Sequence, residues 1–251
     1  LQDVINQIKP LNLTCNNYLS LIKGIEIKTL MRMSEIIEAG LMVKKSTNVV
    51  VLSGPCIANE VILNKPTSVV VASKNEKAAR IIQENFSTDS FRIYYSNDII
   101  GVELGGALKN VLAIACGICD GLGFGANARG ALITRGIVEI TRLGVKMGAA
   151  ASTFAGLSGV GDLITTATSH HSRNRYLGEQ IGQGRKLRDI LKDMAMVAEG
   201  VNTTIATSAL AKKFDVDMPI TFEVYDILFE GKAPSEGLKN LMGRPLRKEV
   251  S

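Results

Sequence analysis

The 251-residue sequence predicts an α/β lobe in residues 1–97, followed by an all-α lobe in residues 98–251. Short runs of β-branched residues alternate with helical segments in the first part, whereas helical periodicity dominates after it. The strand-like runs lack polar alternation, which is typical of strands covered on both faces. No flexible linker separates the two parts, so we expect a cleft between them where a small ligand binds.

The elements follow in order along the chain. Strands are expected at 18–22, 49–52, 67–72 and 91–95, and helices of the first lobe at 33–39 and 76–85. Helices of the second lobe are expected at 98–118, 129–147, 173–180, 187–196, 203–214 and 222–229. In the second of these, Arg135, Glu139 and Arg142 are spaced as a charged face opposite the apolar positions. This spacing predicts a surface helix packed on a core.

Composition restricts the class of protein. Hydrophobic residues make up 46% and charged residues 21%, which is typical of a folded globular chain and excludes disorder. The net charge of +5 is spread along the chain without a polybasic block, which favours a small anionic ligand over nucleic acid. Apolar runs such as 49–52 and 111–118 are too short to cross a bilayer, so we expect a cytoplasmic protein without membrane insertion.

The cysteines and histidines do not form a recognisable metal or disulfide pattern. Cys15 and Cys56 stand apart, and the C-x-x-C of residues 116–119 lies inside an apolar helical segment. The two histidines, at 170 and 171, are adjacent in a polar segment. We therefore expect reduced thiols and no metal site.

A lysine and an asparagine lie side by side within an apolar helical segment. Lys109 shares its helical stripe with Gly105, Ala113 and Gly117, residues with little or no side chain, and Asn110 follows it. Something must pack closely on this stripe: another helix, the backbone of the neighbouring lobe, or a ligand that requires a charged donor. The competing interpretation is a lysine that extends to solvent.

Two polar segments follow directly after predicted strands. Lys23 and the turn at 53–55 both lie where ligands of open α/β sheets bind, beyond the carboxyl ends of strands. A solvated lysine and a plain turn are the alternatives.

Further candidates lie in the second lobe. The glycine-rich segment 156–161 leads to Asp162, which is either a site residue or a helix cap. Residues 169–175 precede a helix and carry arginines, so they predict a phosphate site or a solvated helix start. The segment 121–125 is not G-x-G-x-x-G and follows a helix, so it is not interpreted as a nucleotide loop.

These segments together resemble the bacterial-type NAD(P)-dependent glycerol-3-phosphate dehydrogenases over essentially the whole chain. The resemblance rests on residues 21–26 (LIKGIE), 53–55 (SGP), 103–110 (ELGGALKN), 120–125 (DGLGFG), 156–163 (GLSGVGDL), 172–174 (SRN) and 197–200 (VAEG). It implies a partial Rossmann-type α/β lobe followed by an all-α C-terminal substrate domain. It also implies an oxidoreductase that interconverts dihydroxyacetone phosphate and sn-glycerol 3-phosphate with NAD(H) or NADP(H), feeding glycerophospholipid synthesis.

The resemblance also assigns roles to residues. Lys109 would be the general acid/base, Asp162 would orient it, and Lys23 would be a third catalytic group near the substrate. Substrate-binding positions would be Lys23, Gly54, Cys56, Lys109, Asn110, Asp162, Ser172, Arg173 and Asn174, and cofactor-binding positions Ala58, Arg173, Val197 and Glu199. Arg173 and Asn174 would hold the phosphate. The sequence departs from the family at Cys56, where a weak thiol donor replaces a hydroxyl.

One departure from the family is larger. The family begins with a strand and a G-x-G-x-x-G turn for the pyrophosphate, and this sequence has neither. We expect this chain to be an N-terminally incomplete form of a homodimeric enzyme. The sequence does not indicate whether NADH or NADPH is the cofactor. The alternatives are a non-catalytic remnant with a phosphometabolite-binding or assembly surface, or a related dehydrogenase of another anionic substrate.

Overall fold

The computed structural model describes residues 1–11, 15–41, 47–194, 196–246 and 248–249. Within these ranges, the sheet strands lie before residue 97, and the longest helices follow it. This order agrees with the predicted α/β lobe followed by an all-α lobe.

The strands in the described residues form one sheet, with β1 (Asn17–Ser20), β2 (Asn48–Ser53), β3 (Thr67–Ala72) and β4 (Phe91–Ser96) in spatial order β1-β2-β3-β4. Each strand overlaps a predicted one. β1 is parallel to β2 and β3 is parallel to β4, but β2 and β3 pair antiparallel, with Val51 opposite Ala72. A buried β-branched run carries no information about the direction of its neighbour, so the mixed pairing is decided by the chain's path.

Helices cover both faces of the sheet. The first lobe contains α1 (Gln2–Ile8), α2 (Met33–Gly40), α3 (Ala58–Ile62) and α4 (Glu76–Phe86). Ala79 and Ile82 of α4 pack with Val69 and Val71 on one face. On the other face, Val70 packs with the first turns of the next helix, α5 (Ile99–Gly121). Alternate residues of β3 thus enter two different cores, which explains its uninterrupted apolar sequence.

The second lobe is built around α5, which is buried along nearly its whole length. It contains α6 (Ala126–Lys146), α7 (Asp162–Thr168), α8 (Arg173–Gly182), α9 (Leu187–Asp193), α10 (Glu199–Lys213), α11 (Pro219–Phe229) and α12 (Pro234–Met242). The periodic pattern did not predict α1, α3, α7 or α12. Three of these have five to seven residues, too few to show helical periodicity. The fourth begins with a proline at its first turn, a start signal that was overlooked.

The stripe of small residues on α5 allows close backbone packing. A Cβ atom at Gly105 would lie 2.7 Å from the carbonyl oxygen of Ser158, and one at Gly117 would overlap the carbonyl of Arg175 on α8. The predicted neighbouring helix is therefore present, whereas the backbone that approaches Gly105 belongs to the same helical lobe and not to the neighbouring one. Between these two contacts, Lys109 faces an open cleft.

By length and composition α5 could cross a membrane, contrary to the expectation that the apolar runs are too short. Its most apolar window is 89% buried inside the protein. Glu103 and Lys109 are also buried along it. Central helices of globular proteins pass the same length test, and the burial of α5 is that of a core helix.

The predicted charged face of α6 is wrong at Glu139. This side chain is only 2% exposed. Its carboxylate accepts hydrogen bonds from the backbone N–H groups of Ile220 (2.6 Å) and Thr221 (3.3 Å) at the start of α11. The spacing along α6 could not show that another helix begins against this position. Burial raises the pKa of Glu139 to about 7.

Candidate active site

A cleft of about 390 Å³ lies between the two lobes, beyond the carboxyl ends of β1 and β2. Its walls come from these strand ends and from α5, α7 and α8. Ten of the predicted site residues line it: Lys23, Cys56, Ala58, Lys109, Asn110, Asp162, Ser172, Arg173, Asn174 and Glu199. The position agrees with ligand sites of open α/β sheets.

Lys109 is held at the floor of the cleft by the rigid helix α5. It is 7% exposed. Its Nζ donates to Asp162 Oδ1 at 2.7 Å and to the hydroxyl of Thr166. Burial lowers the pKa of Lys109 and the charge of Lys23 lowers it further, whereas Asp162 opposes the shift. The direction agrees with the pKa shift predicted for an acid/base lysine in an apolar helix.

Lys23 reaches the same carboxylate from the other lobe. It follows β1, and its Nζ donates to Asp162 Oδ2 at 2.5 Å and to the carbonyl oxygen of Gly54 at 3.0 Å. Gly54 has a φ of +130°, and a Cβ there would lie 3.0 Å from the Cα of Val69. Glycine at this turn therefore places its carbonyl where Lys23 can bind it.

Asp162 bridges the two ammonium groups, one with each carboxylate oxygen. It is the first residue of α7 and 3% exposed. The alternative that it caps this helix does not hold, because Gly161 is the cap residue and no side chain bonds there. A π-helical turn, Leu157–Gly161, directly precedes α7 and places Asp162 at the cleft.

The amides of Asn110 and Asn174 are oriented by one backbone group. The Gly200 N–H donates to Asn174 Oδ1, and Asn174 Nδ2 donates to Asn110 Oδ1, both at 2.9 Å. Because a backbone N–H only donates, it fixes which atom each amide presents to the next. Asn110 Nδ2 is left buried without a partner. A buried amide donor beside Lys109 requires an acceptor, such as an oxygen of a bound ligand.

The N-terminus of α8 forms the rim of the cleft. Ser172 caps the helix by accepting from the Arg175 N–H at 3.2 Å. Arg173 is exposed and donates to the Val197 carbonyl at 2.9 Å. A guanidinium and a helix N-terminus are thus adjacent at the cleft, as the phosphate hypothesis requires. Val197 contributes its backbone and, unlike Glu199, does not line the cavity.

Matches to known proteins follow the same two-lobe division. A model described as the NAD-dependent glycerol-3-phosphate dehydrogenase C-terminus matches residues 98–239, and one described as the N-terminus matches residues 1–79. The chain is 51% identical over 250 residues to glycerol-3-phosphate dehydrogenase (NAD(P)+) of Syntrophotalea carbinolica, covering 100% of this chain and 75% of the relative. The chain belongs to the NAD-dependent glycerol-3-phosphate dehydrogenase family. The resemblance inferred from its motifs is confirmed.

Other members of the family agree. A glycerol-3-phosphate dehydrogenase (NAD(P)+) of Citrifermentans bemidjiense is 55% identical over 227 residues, 90% of this chain and 68% of the relative. The crystal structure of glycerol-3-phosphate dehydrogenase from Coxiella burnetii matches with a TM-score of 0.92 at 39% identity, covering 97% of this chain and 74% of that one. The Plasmodium falciparum structure gives a TM-score of 0.88 at 25% identity, covering 98% and 71%.

The sequence patterns did not predict several residues that line the cleft. Thr166 is the most important, because its hydroxyl accepts from Lys109 and donates to the Asp162 carbonyl at 2.7 Å. Its position four residues after Asp162 on one helix face was an available signal. Other lining residues that were not predicted are Ile57, Asn59, Thr165 and Met196, whereas Ser169 and His171 belong to the segment 169–175 that was predicted as a phosphate site.

The C-x-x-C segment lies away from the cleft. Cys116 and Cys119 are buried in α5, and burial raises the pKa of Cys116 to about 12, which leaves its thiol unreactive. Among the described residues, no group of three or more His, Cys, Asp or Glu side chains is placed to hold a metal ion.

Proposed function

We propose that this chain supplies the substrate site and acid/base group of a dehydrogenase that interconverts dihydroxyacetone phosphate and sn-glycerol 3-phosphate. The observation that carries the proposal is the Lys109–Asp162–Lys23 arrangement in the interlobe cleft. Family membership supplies the reaction class, and the geometry supplies the roles of the residues.

Substrate binding uses the charge on both sides of the cleft. The phosphate dianion lies at the rim, against Arg173 and the N-terminus of α8. Ser172 shapes this helix end, and Asn174 holds Asn110, so that Asn110 Nδ2 donates to an oxygen of the substrate. Cys56 lies on the opposite wall, and the carbonyl of Gly54 binds Lys23.

Lys109 transfers the proton at the C2 oxygen. In ketone reduction its ammonium donates a proton to this oxygen while hydride arrives at C2, and in alcohol oxidation the neutral amine removes that proton. The lowered pKa of Lys109 brings its neutral form closer to working pH than that of an ordinary lysine. Asp162 holds Nζ in position, and Thr166 accepts its second N–H. Lys23 offsets the negative charge that develops on the C2 oxygen.

The residues present fit the nicotinamide end of NAD(H) or NADP(H). The Ser53 hydroxyl at the end of β2 is buried without a hydrogen-bond partner and lies against Gly106 of α5, so it would be available to a polar group of the ring. Ala58, Arg173, Val197 and Glu199 would hold the cofactor. When bound, the reduced nicotinamide supplies the hydride. The sequence has no G-x-G-x-x-G turn for the pyrophosphate.

The organisation of the molecule follows the same proposal. We assign residues 1–97 to the dinucleotide-binding lobe and residues 98–251 to the substrate lobe; the end of β4 at Ser96 and the start of α5 at Ile99 support this boundary. We place the protein in the cytoplasm as a homodimer without membrane insertion, and its product in glycerophospholipid synthesis. The free cysteines and the burial of α5 support this setting.

The test is the oxidation of NADH and of NADPH in the presence of dihydroxyacetone phosphate. It is run on this chain and on a version extended N-terminally by a strand and a G-x-G-x-x-G turn. Substrate-dependent oxidation by either version supports the proposal. If neither turns over but dihydroxyacetone phosphate still binds, the non-catalytic interpretation replaces it. Turnover of a different anionic substrate alone would indicate a related dehydrogenase.

A further inference from the structure

Glu103 is a buried carboxylate that the proposed mechanism does not use. It lies on α5 and is 7% exposed. One oxygen accepts from the Ser34 N–H at 2.8 Å, and the other accepts from the Ser34 hydroxyl at 2.6 Å and from Arg32 Nη1 at 2.5 Å. Arg32 is itself 6% exposed and also binds Glu35. Glu103 thus joins the helical lobe to a segment of the α/β lobe.

The segment that Glu103 holds also contains Lys23. Residues 21–32 leave β1 and fold into a closed turn, in which Ile25 forms a bridge with Arg32 and the Glu26 N–H donates to the Met31 carbonyl. Ile25 is buried in the core of the helical lobe. Lys23 therefore lies at one end of a compact loop, and its other end is fixed to Glu103.

The same rigid helix carries Glu103 and Lys109. Six residues separate them, a rise of roughly 9 Å along the axis. Lys23 reaches Asp162 from the opposite lobe. Along the chain, these two residues are joined only through the sheet and its connection to α5. Glu103 adds a direct contact near the cleft, because it binds the 21–32 loop to the helix that carries Lys109.

From these contacts, and on the basis of the proposed function, we infer that Glu103 is a positioning residue that fixes the 21–32 loop on α5 and thereby holds Lys23 Nζ against Asp162. Capping of α2 accounts for the bond from the Ser34 N–H but not for the ion pair with Arg32. Glu35 already completes a capping box by accepting from the Arg32 N–H. A buried ion pair adds little stability over apolar packing, but it fixes geometry when every oxygen is bound, as here.

The inference predicts a change at Lys109, which Glu103 does not touch. The groups facing Lys109 are Asp162, Lys23, the Thr166 hydroxyl and the Cys56 thiol, with charged groups of the cleft rim beyond them. The charge of Lys23 disfavours the ammonium form of Lys109. If the loop is released, Lys23 moves away and the pKa of Lys109 rises.

The experiment measures the rate of Lys109 acetylation by acetic anhydride against pH, with mass spectrometry, and requires no turnover or cofactor. We expect Lys23→Gln and Glu103→Gln each to raise the midpoint of this titration by about one pH unit. The double variant should show no further rise, because both changes remove the same interaction. Glu139→Gln, a matched change of a buried glutamate away from the cleft, should leave the midpoint unchanged.

An unchanged midpoint in Glu103→Gln, or shifts that add in the double variant, would overturn the inference. Ser34→Ala removes one hydrogen bond to Glu103 and keeps the ion pair, so it tests the same point if Glu103→Gln does not fold. We expect a smaller rise in the same direction, and no rise would count against the role. Because labelling is independent of catalysis, a protein inactive towards dihydroxyacetone phosphate still gives a decision on Glu103.

Discussion

Asp162 and Glu139 are both buried carboxylates of the helical lobe, 3% and 2% exposed, yet their surroundings are opposite. Asp162 lies between two ammonium groups at the edge of a cleft. Glu139 is bound by backbone N–H groups at the start of α11. The comparison teaches that burial alone does not identify a functional acid. The partners distinguish the two carboxylates, because buried cations are costly to stability and a cluster of them at a cleft favours a functional role.

The cavities beside the two carboxylates give the same lesson. The cavity bordering Glu139 has about 410 Å³, slightly more than the cleft at Asp162. Its walls are mainly apolar, including Leu132, Pro219 and Leu238. Size therefore does not identify the candidate active site, and an altered pKa does not either, because Glu139 also has one. The two ammonium groups that converge on Asp162 distinguish the cleft.

The largest expected effect is that of Lys109→Ala. Without its acid/base group, kcat should fall roughly 10²- to 10⁴-fold while NADH binding, followed by the fluorescence of the reduced nicotinamide, stays unchanged. Lys146→Ala, at the exposed end of α6, is the matched control and should keep full activity. Normal turnover by the Lys109 variant would remove this lysine from the mechanism.

Asp162→Asn tests the comparison directly. It keeps the shape of the side chain but leaves two ammonium groups unneutralised, and kcat should fall at least 10-fold. Because Asp162 raises the pKa of Lys109, its loss should move the alkaline limb of the kcat profile for ketone reduction to lower pH. Glu139→Gln should change neither kcat nor this limb. If the two variants gave the same profile, the distinction between the carboxylates would fail.

Arg173→Ala should act on binding more than on chemistry. The loss of a charged hydrogen bond to phosphate is expected to raise the KM for dihydroxyacetone phosphate roughly 10- to 100-fold, with a smaller change in kcat. Turnover of unphosphorylated dihydroxyacetone should be unaffected. Arg188→Ala, an exposed arginine on α9, is the control. An unchanged KM would remove Arg173 from phosphate recognition.

The smallest effect concerns stability at Glu139. Its folded pKa of about 7 lies above the ordinary value of 4.5, so the folded protein holds an extra proton between these pH values. This contribution to the free energy of unfolding is present below pH 4.5 and is lost as pH rises through 7, by at most about 3 kcal/mol. The free energy of unfolding, measured by urea denaturation at several pH values, should decrease less steeply with pH in Glu139→Gln than in the unchanged protein. If the free energy of unfolding changed equally with pH in both proteins, Glu139 would not be the titrating group.

Local patterns were enough for much of the fold. The four strands were expected from their runs of β-branched residues, and the helices α2, α4, α5, α6, α8, α9, α10 and α11 from their apolar period. The helices α1, α3 and α7 were missed because five to seven residues show little of a period; α9 is as short as α1 and α7, but it lies within the longer predicted segment 187–196. The charged spacing on α6 led to the wrong prediction that Glu139 is exposed. Spacing within one helix does not show that the start of α11 packs on this residue.

The candidate site was predicted as separate residues, and their relation to one another came from the structure. The sequence left Asp162 open between a site residue and a helix cap. The decision depends on Lys23, which lies 139 positions away, and on Lys109, 53 positions away. Thr166 was overlooked for the same reason, because a threonine in a short helix has no evident role until the lysine beside it is known.

The sequence by itself determined the α/β-then-helical order, the family and the identity of the charged groups, since these depend on residue type and on spacing within one segment. Only the tertiary structure decided the mixed strand directions, the pairing of both lysines with Asp162 and the burial of Glu103 and Glu139. These features arise where segments distant in sequence come into contact. The free energies of burial and ion pairing depend on those contacts, and the residue pattern within one segment does not determine them.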